Sequence, residues 1–248
     1  MELPAAAPLT IWPPLLAAAA PGTVSEPHRH HNLHLVLARA GTLRVQVGGE
    51  SRAAAGLLTG PDVEHAVDAS GCDVLLLFVD PESVPGARLA ASIEGGASFL
   101  DDPARSALLA GLPPAPGRDE LSAWAERAIS RLAGGPWELP RMHPRAREVV
   151  RAIRDQLPDR EVSLERLAER VGLSPSRLLH VFTASVGIPI RPYVRWVRFQ
   201  LAATAIVAGT PLSEAAAAAG FADAAHMTRT FKEMFGLTPS ALQRRSRR

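Results

Sequence analysis

The chain has 248 residues, room for two ordinary domains, and its 47% hydrophobic content supports packed cores. Its one cysteine, Cys72, excludes an internal disulfide and fits a reducing cytoplasm. The net charge of +2 hides an asymmetry: from Arg141 onward 18 basic residues face 9 acidic ones, a balance of +9, while residues 1–140 carry −7, so nucleic acid is the expected partner of the C-terminal part alone.

The N-terminal alanine-rich stretch is apolar but interrupted by Pro8, Pro13 and Pro14 and has no basic leader, so it reads as neither a signal peptide nor a membrane span. Between Glu26 and Asp80 the pattern is that of strands. Leu33–Leu37, Thr42–Val47 and Val74–Val79 are short β-prone runs, and Gly48-Gly49 is a hairpin turn signal. Leu43, Val45 and Val47 alternate with Thr42, Arg44 and Gln46, as in a half-buried strand. This spacing predicts a small sandwich or barrel.

Histidines concentrate in the same region. If residues 28–34 form one strand, His28, His30, Asn32 and His34 share a face and His31 points away, with His65 closing the set from another strand. Four imidazoles suit zinc, copper, nickel or iron, and their protonation would release the ion below about pH 6.5. The plainer reading is a histidine-lined pocket, empty or holding an organic ligand. His28-Arg29-His30, His34, Gly41, Pro61 and His65 together resemble the metal motif of the cupin barrels, with His34 at the place of the usual glutamate and Val63 at the place of a glycine. That resemblance implies a cupin-like sensor over residues 1–110 with a divalent transition metal held by His28, His30, His34 and His65.

From Pro81 the β signals fade, and Val84–Ala107 carries no firm assignment. Leu112–Gly117 reads as a linker, and Glu120–Ala133 as an amphipathic helix with Leu121, Trp124, Ala128 and Leu132 near one stripe, packed on the barrel or on another subunit. Residues 111–140 are thus a linker and connecting helix.

From residue 141 the chain turns helical, and one pattern occurs twice. Gly172 recurs as Gly220, 48 residues on, and Gly187 as Gly236, 49 residues on. Each copy reads as a short helix, a glycine turn and a second helix. Leu164, Leu167, Ala168 and Val171 form one stripe; Ser174 stands as N-cap before Pro175, and Asp223 caps the second copy. This is the helix-turn-helix arrangement, whose second helix enters the major groove. Pro144–Leu157 is a preceding helix with Arg147, Arg151 and Arg154 outward, and Arg191–Ala208 a long helix of roughly 27 Å joining the copies.

The C-terminal segment resembles the AraC/XylS family of transcription regulators through Gly220-Phe221-Ala222-Asp223, His226, Arg229, Phe231-Lys232, Phe235-Gly236 and Thr238-Pro239. Ala225, Met227 and Leu242 depart from that signature. The resemblance covers about residues 144–245. With core positions set aside, Ser176, Arg177, Leu179, His180 and Thr183 face DNA from the first reading helix. Ala224, Ala225, His226, Thr228, Arg229 and Lys232 do so from the second, Arg229 having an internal ion pair as its alternative. Arg191, Arg195 and Arg198 form a phosphate stripe, and Arg244–Arg248 a basic tail.

The combined expectation is an α+β multidomain protein: an N-terminal cupin-like β-barrel and, over residues 141–248, an all-α domain with two helix-turn-helix motifs. It reads as a cytoplasmic, ligand-responsive, DNA-binding transcription regulator and not as an enzyme. Its expected partners are double-stranded DNA, a small-molecule or metal effector and RNA polymerase, with no membrane, as a monomer or homodimer. The rival reading is a cupin-type metal-dependent oxygenase or isomerase with a fused helical domain, which needs an acid or base in the pocket; Glu64, beside His65, should face away from it.

Overall fold

The computed structural model describes residues 15–136, 142–157 and 162–246. The chain divides into two compact units, one over residues 15–138 and one from residue 139 onward. No described helix is long and apolar enough to cross a membrane.

The first unit holds β1 (Leu15–Pro21), β2 (Val24–His28), β3 (Leu33–Ala38), β4 (Leu43–Val47), β5 (Glu50–Ala54), β6 (Gly56–Thr59), β7 (His65–Asp68), β8 (Asp73–Val79) and β9 (Ala97–Leu100). They form two antiparallel sheets, one ordered β1-β8-β3-β6-β9 and the other β2-β7-β4-β5. Gly48 and Gly49, both at positive φ, make the two-residue turn between β4 and β5. The expected barrel is therefore corrected to a sandwich. The chain passes from the second sheet to the first between His28 and Leu33, and the two hydrogen-bond ladders do not join into a closed cylinder.

The five-stranded sheet is buried on both faces, which explains the unbroken burial of β3. On its inner face Val36 and Ala38 pack with Leu43, Val45 and Val67 of the opposing sheet. On its outer face Leu33, Leu35 and Leu37 pack with helical residues. Those come from α1 (Val84–Ala91), α2 (Asp102–Leu109) and α3 (Arg118–Leu132), so the unassigned stretch 84–107 is two helices flanking an edge strand. Helix α3 is part of this unit's core. Trp124 is fully buried among the sheet leucines, and its indole N–H donates to the Leu108 carbonyl at 3.1 Å. The proline-rich segment before α3 is pinned too, since Arg39 donates to the Pro113 carbonyl.

The second unit is helical: α4 (Pro144–Gln156), α5 (Leu164–Arg170), α6 (Pro175–Val186), α7 (Ile190–Val207), α8 (Leu212–Ala218), α9 (Ala224–Phe235) and α10 (Pro239–Ser246). The repeat is visible in its turns: Gly172, Gly187, Gly220 and Gly236 all take the left-handed conformation. Ser163, Ser174 and Asp223 each accept a backbone N–H at a helix start. The Asp223 cap, 2.6 Å from the His226 N–H, holds that carboxyl below its ordinary range. Helix α7 packs aromatic side chains against α9, with Phe199 stacked on Phe235 at 3.8 Å.

Candidate functional sites

In the helical unit, the exposed side of α6 carries Ser176, Arg177, Leu179, His180 and Thr183, all as expected, while Leu178 and Phe182 are buried. Leu179 is 40% exposed, one of few large apolar side chains so placed among the described residues. Helix α9 differs. Arg229, Lys232 and Ala225 are exposed, and Ala224 is half-buried. His226 turns back: its Nδ1 accepts the Ala222 N–H at 3.4 Å and its ring meets the edge of Phe221. The Thr228 hydroxyl donates to the Ala224 carbonyl at 2.8 Å. Among the described residues no carboxylate lies within ion-pair distance of Arg229.

The basic stripe is corrected in part. Arg191 is exposed, but Arg195 and Arg198 are half-buried. Arg198 lies beside the Gly220 turn, and burial draws its guanidinium below its ordinary pKa. Arg154, expected outward, instead meets the buried Tyr193 hydroxyl. The side chains of Arg244–Arg248 lie outside the described residues. Helical periodicity assigns a side of a helix but not the turn that closes over it, and Arg198 and His226 both border the second glycine turn.

In the sandwich unit the histidines gather as expected, though by another route. Residues 28–34 are not one strand. His28 ends β2 opposite His65 on β7, His30 lies in the crossing between sheets, and His34 projects inward from β3. His30, Asn32, His34 and His65 are buried and His28 is half-buried, so the cluster meets solvent at His28. His31 is outside, 3.6 Å from the exposed Asp62.

One ring nitrogen from each of His28, His30 and His65 lies within 4.8 Å of the others. All three use Nδ1 against a backbone carbonyl: Glu26 at 2.8 Å, Asn32 at 3.0 Å and Val63 at 2.9 Å. A carbonyl only accepts, so each Nδ1 carries the hydrogen and each Nε2 keeps its lone pair. His34 has a different place. It stacks on Phe78 at 4.0 Å and its Nδ1–H donates to His30 Nε2 at 3.3 Å, so it stands beside the group of three. His65 Nε2, His34 Nε2 and both amide atoms of Asn32 are buried without a hydrogen-bond partner.

Burial, then the neighbouring rings, lowers His30 to about 3. Burial lowers His65 to about 4 and holds His34 well below the ordinary imidazole range. These three rings are neutral at pH 7, and the protonation expected near pH 6.5 moves to lower pH. Glu64 is exposed, and the cluster contains no carboxylate among the described residues.

Residues 167–245 match the family described as Helix-turn-helix domain. Over 102 residues the chain is 32% identical to the arabinose operon regulatory protein of Escherichia coli (strain K12), covering 41% of this chain and 35% of that protein. The chain thus spans about a third of the length of the curated relatives it matches. Among solved structures, ToxT from Vibrio cholerae O395 is similar at 11% identity and a TM-score of 0.49, over 92% of this chain and 96% of that one. The C-terminal domain of AraT from Geobacillus stearothermophilus is similar at 24% identity and a TM-score of 0.40, over 42% and 87%.

Proposed function

We propose that the chain is an AraC-type, sequence-specific DNA-binding transcription regulator whose sandwich unit senses an effector. The observation that carries it is the exposed row Ser176, Arg177, Leu179, His180 and Thr183 on a capped second helix, inside a segment matching a helix-turn-helix family. Helix α7, at about 1.5 Å per residue, suits two reading helices one DNA turn apart. The regulator reading is preferred to the enzyme because the helix-turn-helix match and the exposed row on α6 favour DNA directly, while no carboxylate joins the histidine cluster among the described residues. The test is selection of bound duplexes from genomic DNA by the full chain, which should enrich a recurrent sequence; no enrichment over input removes the reading.

The effector site is the histidine cluster, and its donor set fits a divalent transition metal. His28, His30 and His65 would hold the ion through Nε2, with His30 exchanging its hydrogen bond from His34 for the ion, and the orphaned His65 Nε2 supports this. The ion would supply a positive centre that ties β2 and β7, neighbours in one sheet, to the segment crossing toward the other. The chain titrated with cobalt(II) should develop visible absorption bands. His30→Ala and His65→Ala should abolish them, and His31→Ala should leave them unchanged. Bands that persist in both of the first two variants would place the ion elsewhere.

A further inference from the structure

The two reading helices, alike in the sequence repeat, are unlike in what they offer to DNA. On α6 the five exposed side chains make no hydrogen bonds among the described residues, and they include three hydrogen-bonding types and one apolar contact. On α9 the hydroxyl and the imidazole already have partners within the helix and its turn. The Thr228 hydroxyl donates to the Ala224 carbonyl and His226 Nδ1 accepts the Ala222 N–H, which holds both side chains against the helix, while Ala224 and Ala225 present only methyl groups. What remains exposed is Arg229 and Lys232, with Glu233 on the flank.

Next to α9 lies a cleft of about 410 Å³ lined by Arg191, Arg195, Arg198, Phe221, His226 and Thr230. Guanidinium groups around a hollow suit a phosphate and its sugar, a contact that positions a duplex without reading it. We propose that α6 reads the bases while α9 and this cleft clamp the DNA backbone, because the Thr228 hydroxyl and the His226 ring are held by α9 and its turn, leaving that helix two exposed cations beside an arginine-lined cleft. The division rests on the DNA-binding reading above and adds which of the two motifs carries specificity.

The experiment is selection from a randomised duplex pool by the full chain and its variants. One informative block of bases is expected, with the segment one turn away, about 10 base pairs, close to random. Arg177→Ala and His180→Ala should change the recovered sequence. Arg229→Ala should leave it unchanged, weaken all duplexes several-fold, and lower the salt slope by about 1. Arg229→Lys should restore affinity, since a phosphate needs the charge and a bidentate base contact needs the fork. Two equally informative blocks, or a base preference lost in Arg229→Ala and not restored by Arg229→Lys, would overturn the division. A pool with no enrichment would remove the DNA-binding reading as well, so the two failures are distinguishable.

Discussion

Acidified from pH 7 to pH 4 with chelator present, the metal-free chain should lose about 3 kcal/mol of stability from His30 alone. The unfolded imidazole takes up its proton near pH 6.5, while the folded one resists until about 3. Between those values the unfolded state binds more protons, so stability is full above pH 6.5 and falls as the pH drops. His65, lowered to about 4, acts over most of the same window, and His34 adds to it in the same direction. The carboxylates held below their ordinary range, Asp68, Glu165 and Asp223, lose their contributions at lower pH, which leaves the upper window to the imidazoles. Urea unfolding of the sandwich unit at each pH measures the effect, and His30→Gln should flatten the profile. A constant midpoint from pH 7 to pH 4 would mean that these rings are hydrated.

Gly220→Ala should cost roughly 3–5 kcal/mol, whereas Gly172→Ala, its counterpart in the repeat, should cost about 1–2 kcal/mol. Both residues are left-handed, at φ +76° and φ +62°, so both substitutions meet backbone strain. They differ in surroundings. A Cβ on Gly172 meets nothing, but one on Gly220 would overlap the carbonyl oxygen of Leu157, at the end of α4. The second turn is docked on the preceding helix and the first is open. Urea unfolding of the two variants beside the parent chain checks this, with equal losses counting against the close approach. DNA binding should fall with Gly220→Ala, because that turn aims α9 and borders the arginine-lined cleft.

The helical unit was the more legible in sequence because its signals are local. Caps at Ser174 and Asp223, the turn glycines, and apolar stripes within a few residues specify helices and their starts without distant partners. The strands depend on partners far along the chain. Leu15–Pro21 is alanine-rich, a composition that favours helix, yet it is a strand because β8 supplies a full antiparallel partner and the outer core takes up Leu15 and Ala17. The short β5, β6, β7 and β9 had no strong β-branched run to mark them.

The histidine cluster was legible by membership and not by mechanism. Alternation along one strand groups the rings that lie together in the structure, but their gathering comes from a crossing between sheets that no periodicity encodes. Alternation and the cupin-like spacing place His34 with the other rings; its hydrogen bond to His30 and its stacking on Phe78 are tertiary facts. The same limit governs Arg154 and Arg198, each on a predictable side of its helix and each covered by a neighbour from elsewhere in the chain.

On the proposed reading the helical unit lays two helices on one face of a duplex. Hydroxyl-radical footprinting of the full chain on a duplex recovered by the genomic selection tests it most directly. Two protected segments on the same face, about 10 base pairs apart, are expected. A single protected segment, or uniform protection that shifts freely along the duplex, would contradict it.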